Sequence, residues 1–455
     1  MQNFLNLQSI DQYLNRLFFF IIILLSCALF NTSASQSYVW LGPFYSAAAN
    51  HKFGQALHVD TREVREFGDM DVAERAAYRF KKSDTTEPYL ANDVGFVYLI
   101  IIAKTLFFWL SDQMAIEALQ MFVHGIISVI ILFLLPGPSA RLTFFLLYAI
   151  NPVIIYYVTF PYYYFWQALP SFAVIYFLQM RRHLRTLDNV SFLLISLILG
   201  IIIVARPPVI LLVLFFYLSS LVIFNQKKLI ILGISLTFCI AYLLFAPNER
   251  NPWHTVYVGI GGYTNPYGLE MLSDNYGYKL FKDKTGTKLN PSVGGNYYDS
   301  KVIRKYSEVT KDVTLEYIKN DPWIFVRNAL LNIFQSYSVG YVNEAPRWVH
   351  YTAAFIGFIA VLCLLYSRQF IPFLAVGLAS GGFTLYYPPI QAYMYGAFIL
   401  LVVGAIQFFH HIGFCAWFDR RIPNCLSRIF MVSGDQIALE RQRVGPETPR
   451  SKKPI

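Results

Sequence analysis

Charged residues are scarce in this chain of 455 residues. Asp, Glu, Lys and Arg make up 14% of it, whereas soluble domains carry about 25%. Hydrophobic residues make up 56%, and apolar runs near the ~20 residues that span a bilayer recur along the sequence. The low charge argues against an ordinary soluble globular protein. It predicts helices that cross a membrane several times.

Cysteine is also scarce, with five residues in the chain. We expect no disulfide and no cysteine-based metal site, because no two of them are placed to pair. The sequence lacks a Gly-rich phosphate loop, a His–Glu zinc spacing and a Ser–His–Asp order, so common catalytic motifs assign nothing. The cysteines are Cys27, Cys239 and Cys363 in apolar runs, and Cys415 and Cys425 in the basic C-terminal tail.

The net charge of +10 is not arranged as a nucleic-acid-binding surface. Basic residues cluster in short stretches between apolar runs, as in the cytoplasmic loops of membrane proteins. We therefore expect no nucleic-acid partner, and a multi-pass protein of the cell (inner or plasma) membrane. The clusters are Arg181, Arg182 and Arg185; Lys227 and Lys228; Arg420 and Arg421; and the stretch 441–453.

The predicted fold class is an all-α polytopic membrane protein with about 10–11 hydrophobic helices. Two large extracytoplasmic segments that carry amphipathic helices interrupt these helices. The expected parts are an N-terminal anchor helix or signal (1–30), the first extracytoplasmic segment (31–92), a membrane helix core (93–246), the second extracytoplasmic segment (247–347), C-terminal membrane helices (348–410) and a basic cytoplasmic tail (411–455).

The N-terminal run, 17–30, has two interpretations. The stretch 32–35 resembles a signal-peptidase site, which would make the run a cleaved signal. Because Arg16 is the single cation before the run, we favour an uncleaved anchor.

For both large polar segments to face the outer side, one early apolar run must not cross the membrane. Eleven crossing runs with a cytoplasmic C-terminus would place the two large polar segments on opposite sides. We expect the run 93–110 not to cross, because Lys104 lies at its middle and a charge in the bilayer is costly. Lys104 could instead pair with Glu117 inside the bundle, and His124 alone supports no assignment.

Two stretches of the polar segments have helical periodicity. In 71–82, Ala73, Ala76, Ala77 and Phe80 share one face, which predicts a helix. In 301–319, the shared face carries Ile303, Tyr306, Val309, Val313 and Tyr317, and Pro322 then begins another helix.

Asp69 and Asp71 are the candidate catalytic residues. A carboxylate can act as a general base when it reaches a hydroxyl within hydrogen-bond distance. Asp71 also has a structural interpretation, because Glu74 follows three residues later and the pair predicts a capping box. Asp69 precedes that helix and is therefore our candidate base, with a solvated loop acid as the alternative.

Four stretches resemble the C-type glycosyltransferase superfamily, in its polyprenyl-phosphate-sugar-dependent branch of dolichyl-phosphate-mannose and lipopolysaccharide-sugar transferases. The resemblance covers roughly residues 60–225 and rests on order and spacing. Many relatives carry a second acid in the loop that corresponds to 159–167, and this loop has none. The stretches are the acid and small-residue helix at 69–76, the aromatic and glycine entry at 89–99, Ala149-Ile150-Asn151-Pro152, and Ala205-Arg206-Pro207-Pro208.

The resemblance implies transfer of a sugar from a polyprenyl-phosphate-linked donor to a glycan, lipid or protein acceptor at the outer face of the membrane. The partners would be that donor, that acceptor and membrane lipid. No cofactor is assigned, and a divalent metal is compatible with the family. The alternative is a non-catalytic or transport protein of the same fold that acts on lipid-linked glycans.

Five residues are candidates for contact with phosphate or sugar. Arg206 can clamp a phosphate bidentately, or it can reach the lipid headgroups. Arg250 and His254 follow a helix end, and Tyr163 and Trp166 could stack on a sugar ring. An interfacial aromatic and basic belt is the alternative for these four.

Overall fold

The computed structural model describes residues 2–33, 37–52, 57–89, 94–180, 186–245, 251–270, 272–291, 295–421 and 430. These residues are mostly helical. In this part of the chain, the only sheet pairs His58–Val59 with Glu87–Pro88 in antiparallel orientation. The all-α expectation is therefore confirmed.

The helices match the apolar runs of the sequence closely. Six of the described helices begin at a residue whose side chain satisfies one or two of the first free backbone N–H groups: for example, the Ser111 hydroxyl accepts from the N–H of Met114, and Asn151 precedes Pro152 in the same role. In chain order they are α1 (Gln2–Ser33), α2 (Gly42–Ala49), α3 (Thr61–Asp69), α4 (Val72–Ala77), α5 (Val94–Leu106), α6 (Asp112–Leu134), α7 (Pro138–Phe144), α8 (Pro152–Thr159), α9 (Ala168–Ala173), α10 (Asn189–Ala205), α11 (Ile210–Ile223), α12 (Lys227–Leu244), α13 (Pro252–Gly259), α14 (Asp274–Thr285), α15 (Ser300–Asn320), α16 (Pro322–Gln335), α17 (Arg347–Tyr366), α18 (Phe370–Ser380), α19 (Gln391–His411) and α20 (Phe414–Asp419).

Among the described helices, five are long and apolar enough to span a bilayer, which indicates a membrane protein. They are α6, α12, α17, α19 and the part of α1 from Gln12 to Thr32. A sixth candidate is broken: α7 with its π-helical continuation Phe145–Ala149 meets α8 at an angle of 48°. Four shorter apolar helices, α5, α10, α11 and α18, complete the set.

Small residues allow the helices to pack closely, as is common in membrane bundles. A Cβ on Gly200 would lie 2.6 Å from the carbonyl oxygen of Thr237, so α10 and α12 are in backbone contact. A Cβ on Gly357 would lie 1.7 Å from the carbonyl oxygen of Phe334, which fixes α16 against α17. These contacts build one core that includes α1, α5 to α12, α18 and α19.

Both ends of α5 meet neighbours at one end of the bundle. At its start, a Cβ on Gly95 would lie 2.2 Å from the backbone N of Ala205, the last residue of α10. After its end, the Ser111 hydroxyl donates to Ala76 O at 2.6 Å, and the Phe80 N–H donates to Asp112 Oδ2 at 2.8 Å. At about 1.5 Å per residue, its 13 residues reach roughly 20 Å. Because α18 is shorter still, with 11 residues, it is the contacts at the two ends of α5, and not its length, that distinguish it.

The two polar segments both pack at this end. The first polar segment (described residues 37–52 and 57–89) contacts α5 and the start of α6. The second polar segment (described residues 251–270, 272–291 and 295–345) contacts the loop between α18 and α19, where Tyr341 N–H donates to Pro389 O at 2.7 Å. A Cβ on Gly259 would lie 2.2 Å from Tyr386 O in the same loop.

Three local predictions need correction. Lys104 pairs with Asp112 at 2.5 Å, and Glu117 instead accepts from Asn31 and Gln113. The helix predicted over 71–82 ends at Ala77, because the next residues turn back to contact α6. Within the predicted C-terminal membrane helices (348–410), the apolar stretch 370–387 is expected to be one helix, and it is helical only to Ser380. The helix with a buried face at 301–319 and the helix that begins at Pro322 are confirmed.

Candidate functional site

Asp71 has the structural role that its spacing predicts. Its carboxylate accepts from the Glu74 N–H at 2.8 Å, and the Glu74 carboxylate accepts from the Asp71 N–H at 3.1 Å. This is a complete capping box. Because the Asp71 carboxylate caps the start of α4, the main role of Asp71 is to stabilise that helix.

Asp69 is the last residue of α3, and its side chain is exposed. Its neighbour Gly68 lies against Val39, since a Cβ on Gly68 would come within 3.2 Å of the Val39 side chain. Asp69 is thus close in the fold to the turn that carries Trp40.

Arg206 lies where α10 ends, half-buried among tyrosines. Its backbone N–H closes α10 on Ile202 O at 2.7 Å, and Pro207 then begins a short 3₁₀ turn. The guanidinium carbon lies over the rings of Tyr163 at 5.0 Å and Tyr393 at 4.3 Å. Cation–π contact orients the guanidinium, and an arginine side chain stays protonated in proteins.

A continuous aromatic surface connects Trp40 to Arg206. The rings of Trp40 and Tyr162 are 4.6 Å apart, and those of Tyr162 and Tyr163 are 3.9 Å apart. Trp40 is 43% exposed, whereas Tyr163 is 5% exposed. The aromatic surface is therefore exposed to solvent at Trp40, in the first polar segment, and buried at Tyr163, next to Arg206.

His254 belongs to a hydrogen-bonded group in the second polar segment. Its Nε2 lies 3.1 Å from Asp274 Oδ1, and its Nδ1 lies 2.5 Å from the Tyr306 hydroxyl. The Tyr278 ring stacks on it at 5.9 Å. Both ring nitrogens have protein partners, so a phosphate contact by His254 would require displacing one of them.

Tyr387 connects this group to Arg206. Its ring lies 5.8 Å from that of Tyr393, and its pKa is raised well above the ordinary value, first by burial and then by nearby Tyr393 and Asp274. Tyr387 therefore packs beside Tyr393, which contacts Arg206, and Asp274 contributes to raising the Tyr387 pKa. The arginine and the Asp274–His254 pair flank one loop at the same end of the bundle.

Two other predicted residues stand apart. Trp166 is 3% exposed and packs edge-on against Phe165, so it belongs to the core and its ring is not open to a sugar. Arg250 lies outside the residues that the structure describes.

Metal ligands do not converge in the described structure. Among the described residues, no group of three or more His, Cys, Asp or Glu side chains could hold an ion. The four cysteines in these ranges, Cys27, Cys239, Cys363 and Cys415, are free thiols. A divalent metal stays compatible with the family resemblance and is not assigned to any residue of this chain.

The residues that sequence reasoning missed are Tyr386, Tyr387, Tyr393 and Asp274. The stretch 386–393 joins two apolar runs, and its tyrosines did not stand out in a chain with 32 tyrosines. Asp274 begins α14 and carries no motif. One usable signal was present: Pro388 and Pro389 mark a rigid loop between runs.

Comparison of the chain with models of known protein families, with curated proteins and with solved structures finds no match.

Proposed function

We propose that the chain is a membrane glycosyltransferase. It would move a sugar from a polyprenyl-phosphate donor to a hydroxyl of the acceptor at the outer face of the membrane. The observation that supports this most is the position of Arg206. A guanidinium keeps its charge among tyrosine rings at the end of an apolar bundle, and both polar segments pack at that same end.

The proposed topology leaves α5 on the outer side. Crossings by α1, α6, the α7–α8 pair, α9 with its π continuation, α10, α11, α12, α17, α18 and α19 then place both chain termini inside. The contact between the Ser139 N–H and Asp419 Oδ1, at 2.8 Å, would lie at the inner end, near Arg420 and Arg421. Positive residues in inner loops support this orientation.

The reaction would be an inverting displacement. The acceptor hydroxyl oxygen attacks the anomeric carbon, the bond from that carbon to the phosphate oxygen breaks, and polyprenyl phosphate leaves. The hydroxyl proton passes to a carboxylate that acts as general base. Arg206 would stabilise the charge that develops on the leaving phosphate.

Two carboxylates are candidates for the base. Asp69 is the candidate from the sequence, and it lies beside the exposed end of the aromatic surface. Asp274 is the candidate from the geometry, because it is paired with His254 and lies within range of Tyr387. A carboxylate–imidazole pair can accept a proton and keep its orientation.

The test is product formation by the full chain in membranes, with a radiolabelled polyprenyl-phosphate sugar. We expect Arg206→Gln to abolish the product and Arg206→Lys to restore part of it, because lysine keeps the charge but not the fork of donors. Either Asp69→Asn or Asp274→Asn should abolish it as well, and this identifies the base. Glu66→Gln, which changes an exposed acid of α3, is the matched control.

Unchanged product in Arg206→Gln would refute the role of the arginine. Unchanged product in both aspartate variants would refute general-base catalysis from these positions. Protein abundance in the membrane, measured in parallel, separates lost chemistry from lost protein.

One observation favours the alternative of a transport protein. The broken α7–α8 span is joined to α6 by buried polar side chains: His124 Nε2 lies 2.9 Å from Ala149 O, and Gln120 donates to Phe160 O at 2.8 Å. Broken helices with polar contacts occur at transporter binding sites. Movement of a lipid-linked glycan between leaflets of a proteoliposome, without sugar transfer, would support this alternative.

A further inference from the structure

A cleft of about 260 Å³ opens in the second polar segment, apart from Arg206. One wall is the loop 261–270, and the other is the turn 341–345 with the first residues of α17. The volume lies just below the roughly 300–1,000 Å³ of sites for drug-sized ligands. The cleft therefore suits one small ring.

The glycine-rich wall is held in one conformation by Asn265. Its side-chain amide donates to the carbonyl oxygens of Tyr263, at 2.9 Å, and Leu269, at 2.8 Å. Its side-chain oxygen accepts from the Tyr267 N–H at 3.0 Å. A loop that is ordered before binding loses less entropy when a ligand arrives.

The opposite wall is tied to the first by buried aromatic residues. The Tyr341 hydroxyl donates to Gly262 O at 2.8 Å. The ring of His350 stacks on that of Tyr341 at 4.0 Å and 5°, and Tyr263 donates to Asn332 at 2.7 Å from the other side. The cleft thus has a rigid floor.

His350 forms part of the closed floor of the cleft. It is 5% exposed, and its ring has the backbone of Ala345 as a hydrogen-bond partner. The ring therefore holds the turn 341–345 against α17, and the groups open to a ligand are those of the rim.

The rim combines charge of both signs with an open aromatic ring. Glu270 and Glu344 are exposed carboxylates, Arg347 is an exposed cation, and Tyr351 is 46% exposed. Carboxylates accept hydrogen bonds from hydroxyls, and the guanidinium donates them. The rim carries more negative than positive side chains, which disfavours a phosphate.

We propose that this cleft binds one sugar residue of the acceptor, so that the acceptor is a saccharide. A pyranose offers many hydroxyls that both donate and accept, together with an apolar C–H face for a tyrosine ring. The proposal rests on the proposed function and narrows its acceptor. It also fits the position, because Tyr341 N–H bonds Pro389 O in the loop that carries Tyr387 and leads to Tyr393 at the start of α19.

The experiment is binding of methyl glycosides of glucose, galactose, mannose and N-acetylglucosamine to the full chain in nanodiscs. Saturation-transfer NMR reports the contact, and titration gives the affinity. We expect at least one glycoside to bind, and Glu270→Gln or Glu344→Gln to weaken it about tenfold, as for loss of a charged hydrogen bond.

Glu316→Gln is the matched control, since Glu316 is an exposed acid of α15 outside the cleft. It should leave the affinity unchanged. Absence of binding by all four glycosides, or equal binding by the control and the cleft variants, would overturn the proposal. Binding of inorganic phosphate at the cleft, in titrations in which none of the four glycosides binds, would also overturn the proposal.

The same preparations separate this proposal from the proposed function. Sugar transfer that continues undiminished in Glu270→Gln and Glu344→Gln would reject the cleft and leave the transferase intact. Glycoside binding that depends on the cleft, in a chain that forms no product from any polyprenyl-phosphate sugar, would reject the transferase and leave a saccharide-binding site.

Discussion

The two polar segments lie at one end of the bundle but are built differently. The first contributes Tyr45, Phe67 and Phe80 to the same continuous core as the bundle helices. The second has two small cores of its own, one around Tyr257 and Val313 and the other around Phe281, Leu289 and Tyr306, and it enters the core of the bundle only near its end, at Tyr337. The first segment is therefore an extension of the bundle, and the second is a lobe attached to it.

This difference suggests a division of roles. A segment that shares the core of the bundle cannot move without disturbing it, because packed interiors transmit strain. A lobe with its own small cores can open locally at a lower free energy. The cleft proposed to bind sugar lies in the lobe, whereas the exposed end of the aromatic surface lies beside the rigid segment.

The largest expected effect is a loss of stability where the first polar segment contacts α6 of the bundle. Asp112→Ala removes a carboxylate that is 1% exposed, and it leaves Lys104 and the Phe80 N–H without this partner. We expect a loss of about 3 kcal/mol, the lower end for a broken buried ion pair, because the Lys104 side chain is 30% exposed. Denaturant titration of the chain in micelles measures it.

The control for this change is Glu66→Ala. Glu66 pairs with Arg62 at 3.0 Å on an exposed surface, where such pairs contribute less than about 1 kcal/mol. Similar losses in the two variants would mean that the buried contact does not join the segment to the bundle.

The next effect tests whether the second segment is a separate lobe. Gly259→Ala would place a Cβ 2.2 Å from Tyr386 O, which is overpacking of about 1–3 kcal/mol. Hydrogen exchange should become faster in the second segment and remain unchanged in the first. Gly286→Asn is the control, because nothing lies near Gly286 and Asn tolerates its positive φ. Faster exchange in both segments would contradict the division.

A smaller effect separates the two aspartates of the first segment. Asp71→Ala removes the cap of α4 and should cost about 1 kcal/mol, whereas Asp69→Ala should cost little. Hydrogen exchange of residues 72–77 measures the difference. If the two substitutions loosened α4 equally, the structural assignment of Asp71 would be wrong.

The smallest effect is a pair of opposite pH dependences at the start of α3. The Ser83 side chain and backbone N–H groups lower the pKa of Asp60, so its contribution is present above the ordinary value of 3.8 and lost as pH falls through the native value. Burial raises the pKa of Glu63, so its contribution is present below 4.5 and lost as pH rises through the native value.

Asp60→Asn and Glu63→Gln remove the two titrations. Relative to Asp60→Asn, the unmodified chain should lose stability as the solution is acidified below pH 3.8. Relative to Glu63→Gln, it should lose stability as pH rises above 4.5. Local hydrogen exchange of α3, corrected for the intrinsic rate at each pH, measures both. If both stability differences changed with pH in the same direction, the causes assigned to the two pKa shifts would be wrong.

Much of the fold was predictable because it obeys local rules. Apolar length located the helices, the Asp71–Glu74 spacing predicted the capping box, and the face of α15 followed from its 3.6-residue period. The partner of Lys104 was not predictable, because Asp112 and Glu117 both lie on the next helix, α6, close enough in sequence for either to meet Lys104. Only the turn at 107–111 decides which one it meets.

The candidate site was less predictable for a physical reason. Arg206 could be singled out as a cation between apolar runs, but Tyr393 reaches it from 187 residues later in the chain. The cleft is similarly assembled from stretches that are distant in sequence. Tyrosine also has an ordinary role at membrane interfaces, so its presence carried little information until the contacts were known.

The short helix α5 has one further consequence. In the proposed topology, α5 stays on the outer side, so it need not match the thickness of the lipid layer, and one turn more or less would not invert the orientation of the later helices. An insertion at 107–111 would then lower stability through the Lys104–Asp112 contact without changing which surface the later loops face. The helices that cross the membrane lack this tolerance for changes in length, because each of them has to match the thickness of the bilayer.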